Sequence, residues 1–166
     1  QLFEFDANLT TIQLENVGEI RKAGEHLLQL INDVLDLAKI ESGNMTVSLE
    51  PVLVSRVVTE CFTLLQTQAD LQGVRLFATL NNHENAYVVA DNTRLKQALI
   101  NLVGNAIKYN KMGGEVELSV VQQEGKRLRV TIRDTGQGIP LARQCEVFQP
   151  FNRLNAEMSK IEGSGV

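Results

Sequence analysis

The sequence has no tryptophan, 5% aromatic residues, three prolines and two cysteines among its 166 residues. Cys61 and Cys145 lie far apart and have neither C-x-x-C nor metal-ligand spacing, so we expect two reduced thiols in a cytosolic protein. No apolar run approaches the roughly 18 residues of a membrane span, and the first residues do not resemble a signal peptide. These absences argue against a disulfide framework and against membrane contact by this segment.

Basic residues are also in deficit, since the formal charge is −4 and the pI is near 5.2. Binding to nucleic acid phosphates needs clustered Lys and Arg, so nucleic acid is not an expected partner. The chain is 43% hydrophobic and 22% charged, which is enough apolar material for a core. The length is typical of one domain plus an appendage.

Residues 11–40 are predicted to form one long helix that ends at Glu41-Ser42-Gly43, where glycine suits a left-handed position. Apolar residues recur in alternating steps of three and four, with Gly24 filling one place. They are Val17, Ile20, Leu27, Ile31, Val34 and Ala38, broadened by Leu28 and Leu35. Such a seam is typical of a helical bundle between chains, although a helix that packs on its own domain would show a similar pattern.

Beyond this helix, segments of strand and helix periodicity alternate. The predicted elements are a half-buried strand at 45–49 closed by Pro51, a helix at 55–72 ended by Gly73, a strand at 74–80, a buried strand at 86–90, a helix from 92 capped by Asp91 or Asn92, a hairpin at 115–134 turning at Glu124-Gly125, and a short helix at 141–148. The order predicts an α+β fold, with helices on one face of a mixed, mostly antiparallel sheet.

The helix that follows Asp91 contains the stretch NLVGNAIKYN. Asn101, Asn105 and Lys108 are spaced i, i+4 and i+7, so they share one stripe beside the apolar face. Asparagine is unfavourable inside helices because its amide competes for backbone hydrogen bonds. The stripe is therefore either a polar surface facing solvent or a binding surface for a ligand.

A second unusual segment is DTGQGIP, at residues 134–140. It lacks the third glycine and the βαβ context of a dinucleotide-binding fingerprint, so on its own it could be an ordinary glycine-rich turn. Asp134 is expected at the end of a buried strand, where a carboxylate needs hydrogen-bond donors. The exocyclic amine of adenine is such a donor, whereas guanine presents a carbonyl oxygen there. Gly136 and Gly138 would let the main chain approach closely.

If a nucleotide lies between these segments, its triphosphate would follow the helix stripe. Mg²⁺ takes oxygen ligands and keeps several waters, so the amide oxygen of Asn105, assisted by Asn101, suits it. Lys108 supplies a charge to phosphate, and Tyr109 can pack on the nucleotide or donate to phosphate. An amide is no general base, which favours phosphoryl transfer over hydrolysis.

NLVGNAIKYN, DTGQGIP, FQPFNRL and EGSGV, in this order, resemble the N, G1, F and G2 boxes of the sensor histidine kinases, within the Bergerat-type ATPase superfamily. The helix ending in GEHLLQLINDVLDLAKIESG resembles the second helix of the kinase dimerisation bundle. The resemblance spans essentially the whole chain. It implies a Bergerat ATP-binding fold at residues 44–166, incomplete at its C-terminus, and a partial dimerisation bundle at residues 1–43.

The resemblance also implies residue roles. Asn105 with Asn101 would bind Mg²⁺, Lys108 and Tyr109 would contact the nucleotide, and Asp134 would bind adenine, with Gly136 and Gly138 behind it. The remaining implied nucleotide contacts are Ile139 in the G1 box, Phe148, Phe151 and Arg153 in a lid over the nucleotide, and Gly163 and Gly165 at a phosphate-binding helix N-terminus.

The family's phosphoacceptor histidine stands on the first bundle helix, before an acidic residue and a proline. His26 lies on the second bundle helix, with an acidic residue before it and no proline after it, and His83 lies in a polar loop. The acceptor is therefore expected outside this chain. The resemblance thus implies a cytoplasmic histidine kinase, or the cytoplasmic part of a membrane-bound sensor, which uses Mg·ATP, dimerises through its N-terminal helix and passes phosphoryl groups to a response-regulator receiver domain.

Two other interpretations stay open at this stage. One is a pseudokinase or docking module with the same fold, which the intact boxes argue against. The other is a hydrolysing relative of the gyrase or chaperone type, which would have a glutamate in place of Asn101 and no heptad helix.

Overall fold

The computed structural model describes residues 10–43 and 45–147. Two compact units are present, one formed by Thr46–Ile139 and the other by the segments on either side of it. The domain boundary predicted at residues 43 and 44 stays a prediction. Among the described residues, no helix is both long and apolar enough to cross a membrane.

The first helix, α1, spans Thr11–Glu41, in agreement with the prediction. Thr10 and Gln13 form its N-terminal capping box: the Thr10 N–H donates to Gln13 Oε1 (2.9 Å) and the Gln13 N–H donates to Thr10 Oγ1 (3.3 Å). Gly43 has a φ of +66° directly after the helix, the conformation expected of a C-terminal glycine. Exposed apolar residues of the predicted seam include Ile20, Leu27, Leu28, Ile31, Val34 and Leu35.

The unit at Thr46–Ile139 contains two helices and five strands. They are β1 (Glu50–Leu53), α2 (Val54–Leu71), β2 (Arg75–Thr79), β3 (Tyr87–Ala90), α3 (Asn92–Lys108), β4 (Glu115–Gln123) and β5 (Arg127–Asp134). β1 pairs antiparallel with β3, and a separate sheet has the order β2-β4-β5. β2 and β4 are parallel, whereas β4 and β5 are antiparallel. The α+β class with a mixed sheet is confirmed.

The core lies between the helices and one face of the three-stranded sheet. On β4, Val116, Leu118 and Val120 have no exposed surface, because alternate residues of a strand point to the same face. Val57 and Cys61 of α2 and Val103 and Ile107 of α3 complete the set of most buried side chains. Both helices are thereby fixed on the sheet, which determines where the opposite side of α3 points.

Two strand predictions were wrong. No strand forms at residues 45–49; β1 begins at Glu50 and includes Pro51. Within the described residues β1 has a single partner, β3, and an edge position tolerates a residue without an N–H. The strand around YVVA was expected to be buried, yet Tyr87 and Val89 are 64% and 73% exposed, because only one face of this short sheet meets the core.

Cys61 and Cys145 are both free thiols, as expected. Cys61 is buried among the core residues. Burial raises the pKa of its thiol to about 11, because the uncharged form is favoured away from water. Cys61 is therefore a core residue rather than a reactive nucleophile.

Asp91 is the N-cap of α3, one of the two residues predicted for this role. Its Oδ1 accepts from the Arg94 N–H (3.1 Å) and its Oδ2 accepts from the Ser48 N–H (3.1 Å). These backbone donors, Arg94 first, hold the pKa of the Asp91 carboxyl below its ordinary value of 3.8. One side chain thus starts the helix that carries the predicted stripe and also holds the segment before β1.

We predict that Asp91→Asn lowers the free energy of unfolding at pH 7 and that its difference from the wild type narrows in acid. A lowered folded-state pKa stabilises the protein above about 3.8, and the stabilisation is lost as the pH falls through the folded-state pKa. Urea unfolding between pH 7 and pH 3 measures the difference. Asp70→Asn is the control, since among the described residues the Asp70 carboxylate accepts only from the exposed Gln66 side chain. A constant difference would contradict the prediction.

Candidate nucleotide-binding site

The solvent side of α3 carries the polar stripe. Leu99, Val103, Ala106 and Ile107 bury the opposite side of the helix in the core. Asn101 and Asn105 are exposed and Lys108 is half-buried, so the three side chains lie beside the buried face as predicted. Within the described part of the chain, neither asparagine side chain makes a hydrogen bond. Both carboxamides therefore point to solvent, and no hydrogen bond to a described residue accounts for their presence in the helix.

Lys108 and Tyr109 form the end of this helix. The Lys108 Nζ lies 5.0 Å from the centre of the Tyr109 ring, a cation–π contact. Tyr109 is the C-cap, and its N–H donates to the Asn105 carbonyl (3.0 Å). The cation and the aromatic ring are therefore placed together, one turn after Asn105.

Asp134 is the last residue of β5 and is exposed, so the expectation that it would be buried was wrong. β5 is the outer strand of its sheet. Asp134 ends this strand on the same face as the half-buried Val130 and Ile132, so its place at the strand end leaves it in solvent. Asp134 Oδ1 accepts from the Gly136 N–H at 2.8 Å. Its own loop therefore supplies one donor, and no described residue donates to Oδ2.

Glycine is favoured at residues 136 and 138 of the loop for different physical reasons. A Cβ on residue 136 would lie 2.4 Å from the Tyr109 carbonyl oxygen and 2.8 Å from Asp134 Oδ1, so a side chain there does not fit. Gly138 has open space around it but a φ of +68°, which L-residues rarely adopt. The close approach expected at both positions occurs at Gly136, and it is an approach to α3.

The structure brings the loop and the end of α3 together through two residues to which the sequence argument gave no role. Thr135 Oγ1 donates to Asn110 Oδ1 at 3.1 Å. Both residues lie inside the two quoted motifs, at the ends of their predicted elements. A polar residue at each element end was the available signal, but the contact partner lies 25 positions away and no periodicity reveals it.

The other predicted site residues divide into two groups. Ile139 is described and is 43% exposed. Phe148, Phe151, Arg153, Gly163 and Gly165 lie outside the described residues. The short helix before them is a 3₁₀ helix at Leu141–Glu146, where a helix reaching Phe148 was predicted.

Acidic metal ligands are not clustered in this region. Within residues 10–43 and 45–147, no group of three or more His, Cys, Asp or Glu side chains is placed to hold a metal ion. A cation beside α3 would depend on the amide oxygens of Asn101 and Asn105 and on oxygens that a ligand brings. Mg²⁺ takes oxygen ligands, keeps several waters and commonly binds substrate phosphates, so this arrangement is compatible with it.

A groove of about 410 Å³ lies elsewhere, between α2 and β2. Its lining includes Val58, Phe62 and Leu80. The hydroxyls of Ser55, Thr59 and Thr63 along it donate to backbone carbonyls. The residues that line the groove include neither the stripe nor Asp134, so the groove is separate from both.

Comparison with known proteins assigns this arrangement. Residues 90–166 match the family of histidine kinase-, DNA gyrase B- and HSP90-like ATPases. Circadian input-output histidine kinase CikA of Synechococcus elongatus is 40% identical over 157 residues, which cover 93% of this chain and 21% of CikA. The chain contains the ATP-binding domain of a sensor histidine kinase.

Solved structures of histidine kinases agree with this assignment. Full-length ShkA in complex with AMPPNP has 29% identity and a TM-score of 0.78, over 96% of this chain and 32% of ShkA. Histidine kinase ThkA in complex with the response regulator protein TrrA has 22% identity and a TM-score of 0.70, over 91% of this chain and 44% of that one, so it supports the fold alone. The chain thus spans about a fifth of the length of CikA and a third of that of ShkA.

Proposed function

We propose that this chain binds Mg·ATP between the α3 stripe and the loop at Asp134, and that it transfers the γ-phosphoryl group to a histidine outside the chain. The observation that supports this proposal is the contact between the two motifs: Gly136 lies against the Tyr109 carbonyl. The adenine acceptor and the carboxamide stripe thus belong to one surface.

Asp134 is proposed to select the base. Because the Gly136 N–H occupies Oδ1, the carboxylate is oriented with Oδ2 available to the exocyclic amine of adenine. Guanine would present a carbonyl oxygen at this position, and two facing acceptors disfavour binding by about 1–3 kcal/mol. The site is therefore expected to prefer ATP over GTP.

The stripe is proposed to hold the phosphates. A helix rises about 1.5 Å per residue, so Asn105 and Asn101 lie roughly 6 and 12 Å before Tyr109 along the axis. Asn105, assisted by Asn101, would offer amide oxygens to Mg²⁺, and Lys108 would offer its ammonium to phosphate oxygens. When bound, Mg²⁺ neutralises phosphate charge and so favours attack at the γ-phosphorus.

Residues after the 3₁₀ helix are proposed to complete the site as the family resemblance implies. Phe148, Phe151 and Arg153 would cover the nucleotide, with the arginine at the γ-phosphate. Gly163 and Gly165 would open a helix whose N-terminus receives phosphates. Ile139 would contact the nucleotide from the end of the G1 box.

Transfer suits the stripe better than hydrolysis because Asn101 cannot remove a proton from water. In the transfer, an imidazole nitrogen of the acceptor forms a bond to the γ-phosphorus while the bond from that phosphorus to the bridging oxygen breaks, and ADP leaves. A response regulator would then take the phosphoryl group onto an aspartate, as the family resemblance implies. A cytoplasmic location is proposed, consistent with these roles.

Homodimerisation is proposed through α1. The seam presents Ile20 and Leu27 at 72% and 59% exposure, and a regular apolar stripe of this length is typical of a helix that packs on other helices. The acceptor histidine would then belong to the same assembly, on a helix that is not part of this sequence.

We predict that Asp134→Asn weakens ATP binding about 5- to 150-fold, because the amide keeps an oxygen for the Gly136 N–H and turns an NH₂ donor toward the adenine amine. Isothermal titration of the full chain with Mg·ATP and Mg·GTP measures both affinities, and the preference for ATP is expected to disappear. Asp70→Asn on α2 is the matched control and should leave both affinities unchanged. Unchanged ATP affinity in Asp134→Asn would refute the base contact.

We predict that the chain incubated with γ-labelled ATP and Mg²⁺ takes up no label by itself, and that it labels an added helical hairpin carrying a kinase-type acceptor histidine. Gel autoradiography separates the outcomes. Label on His26 would overturn the proposal that the acceptor histidine lies outside this chain. Steady hydrolysis without the hairpin would favour a hydrolysing ATPase, and ATP binding without transfer would favour a docking module.

We predict that Ile31→Glu converts a dimer into a monomer, because it places a charge in the exposed seam of α1. Sedimentation velocity at several concentrations measures the oligomeric state. Lys22→Glu is the control: it lies nine residues earlier, on the opposite face of the helix, and its ammonium forms an exposed ion pair with Glu19. A wild-type chain that stays monomeric at all concentrations would contradict the proposal.

A further inference from the structure

One carboxamide joins the end of α3 to the sheet. Asn110 Nδ2 donates to the Glu115 carbonyl at 3.0 Å, and Asn110 Oδ1 accepts from the Lys111 N–H at 3.0 Å and from Thr135 Oγ1 at 3.1 Å. Glu115 begins β4 and Thr135 follows β5. This side chain therefore contacts both strands of the hairpin, and it needs a donor and an acceptor at once.

One hydroxyl completes the junction. Thr135 Oγ1 accepts from the Glu115 N–H at 2.9 Å while it donates to Asn110. The Thr135 N–H donates to the Glu115 carbonyl at 3.2 Å, so strand pairing continues one residue past Asp134. The hydroxyl takes the place of the backbone acceptor that a longer strand would have provided.

Two glycines show how tightly the junction is packed. A Cβ at residue 114 would lie 2.2 Å from Asn110 Oδ1, and a Cβ at residue 136 would lie 2.4 Å from the Tyr109 carbonyl oxygen. Distances below 3 Å require backbone or the bonded amide to move. The distance between the loop and the end of α3 is therefore fixed by this packing.

We propose that Asn110 and Thr135 are positioning residues that fix the distance between Asp134 and the Asn105–Lys108 turn, without contacting the nucleotide themselves. The inference rests on the proposed function. ATP must reach both ends of the site, so a loose junction weakens ATP binding through lost preorganisation. Adenosine lacks phosphates and uses the Asp134 end alone, so it is insensitive to the spacing.

The test compares Thr135→Val, Thr135→Ser and Asn110→Ala in the full chain by calorimetry with Mg·ATP and with adenosine. Thr135→Val and Asn110→Ala are expected to weaken ATP binding about three- to tenfold, the size of one or two hydrogen bonds, and to change adenosine binding less than twofold. Thr135→Ser keeps the hydroxyl and is expected to restore ATP affinity. The double variant Asn110→Ala/Thr135→Val should lose no more ATP affinity than the single variant that binds ATP more weakly, since both changes break one junction.

Thr79→Val is the matched control, because the Thr79 hydroxyl also bonds a neighbouring strand, donating to Glu117 Oε1 at 3.0 Å on β4. It should leave both affinities unchanged. Equal losses for ATP and adenosine in Thr135→Val would overturn the positioning role in favour of a general loss of structure. Unchanged ATP affinity would overturn it as well.

Amide hydrogen exchange without nucleotide separates this inference from the proposed function. Thr135→Val is expected to raise exchange at Lys111 and Glu115 about threefold or more, while Leu118 in the core stays protected. Unchanged exchange at Lys111 would show that the junction is not coupled and would overturn the inference, whatever the nucleotide results. If the wild-type chain binds neither ATP nor adenosine while Thr135→Val still raises exchange at Lys111 and Glu115, the proposed function would be refuted. The junction would then have a structural role only.

Discussion

The close contact between the end of α3 and the loop after β5 is the constraint on which the site depends. The Tyr109 carbonyl occupies the space that a side chain at residue 136 would need, so only glycine permits the loop to lie against the helix. Without that contact, Asp134 and the asparagine stripe would be two unrelated polar features. In the proposed function the contact places them on one surface, with a hydrogen-bond acceptor at one end and amides and a cation at the other.

The core determines that this surface faces outward. Val103 and Ile107 of α3 are fully buried against β4, so the rotation of the helix about its axis is fixed by the hydrophobic effect rather than by the polar residues. Asn101 and Asn105 then project to solvent as a consequence. An asparagine inside a helix is unfavourable, and no described residue compensates by bonding these side chains. The proposed function gives a reason for their position, since both amides would bind Mg²⁺ there.

Local patterns predicted the helices, the hairpin and the N-cap, because α1 carries a regularly spaced apolar face, which is exposed, and α3 and β4 each bury one. They failed where tertiary context decides. Met45, Val47 and Leu49 alternate like a strand, but no strand pairs with them, and pairing begins at Glu50. Asp134 was expected at the end of a buried strand, where its carboxylate would need donors; its place at the outer end of the sheet exposes it. The Asn110–Thr135 junction spans 25 residues, and single-sequence periodicity contains no such information.

The exposure of Asp134 changes the energetic argument for base recognition without removing it. A buried carboxylate would need an amine to offset its desolvation, whereas an exposed one already has water. In the proposed function, selection of adenine would then come from orientation: the Gly136 N–H donates to Oδ1, and this bond favours one orientation of the carboxylate before a ligand arrives. Preorganised acceptors lose less entropy on binding than mobile ones. The loop glycine therefore contributes twice, through its missing side chain to the contact with α3 and through its N–H to the direction in which Asp134 points.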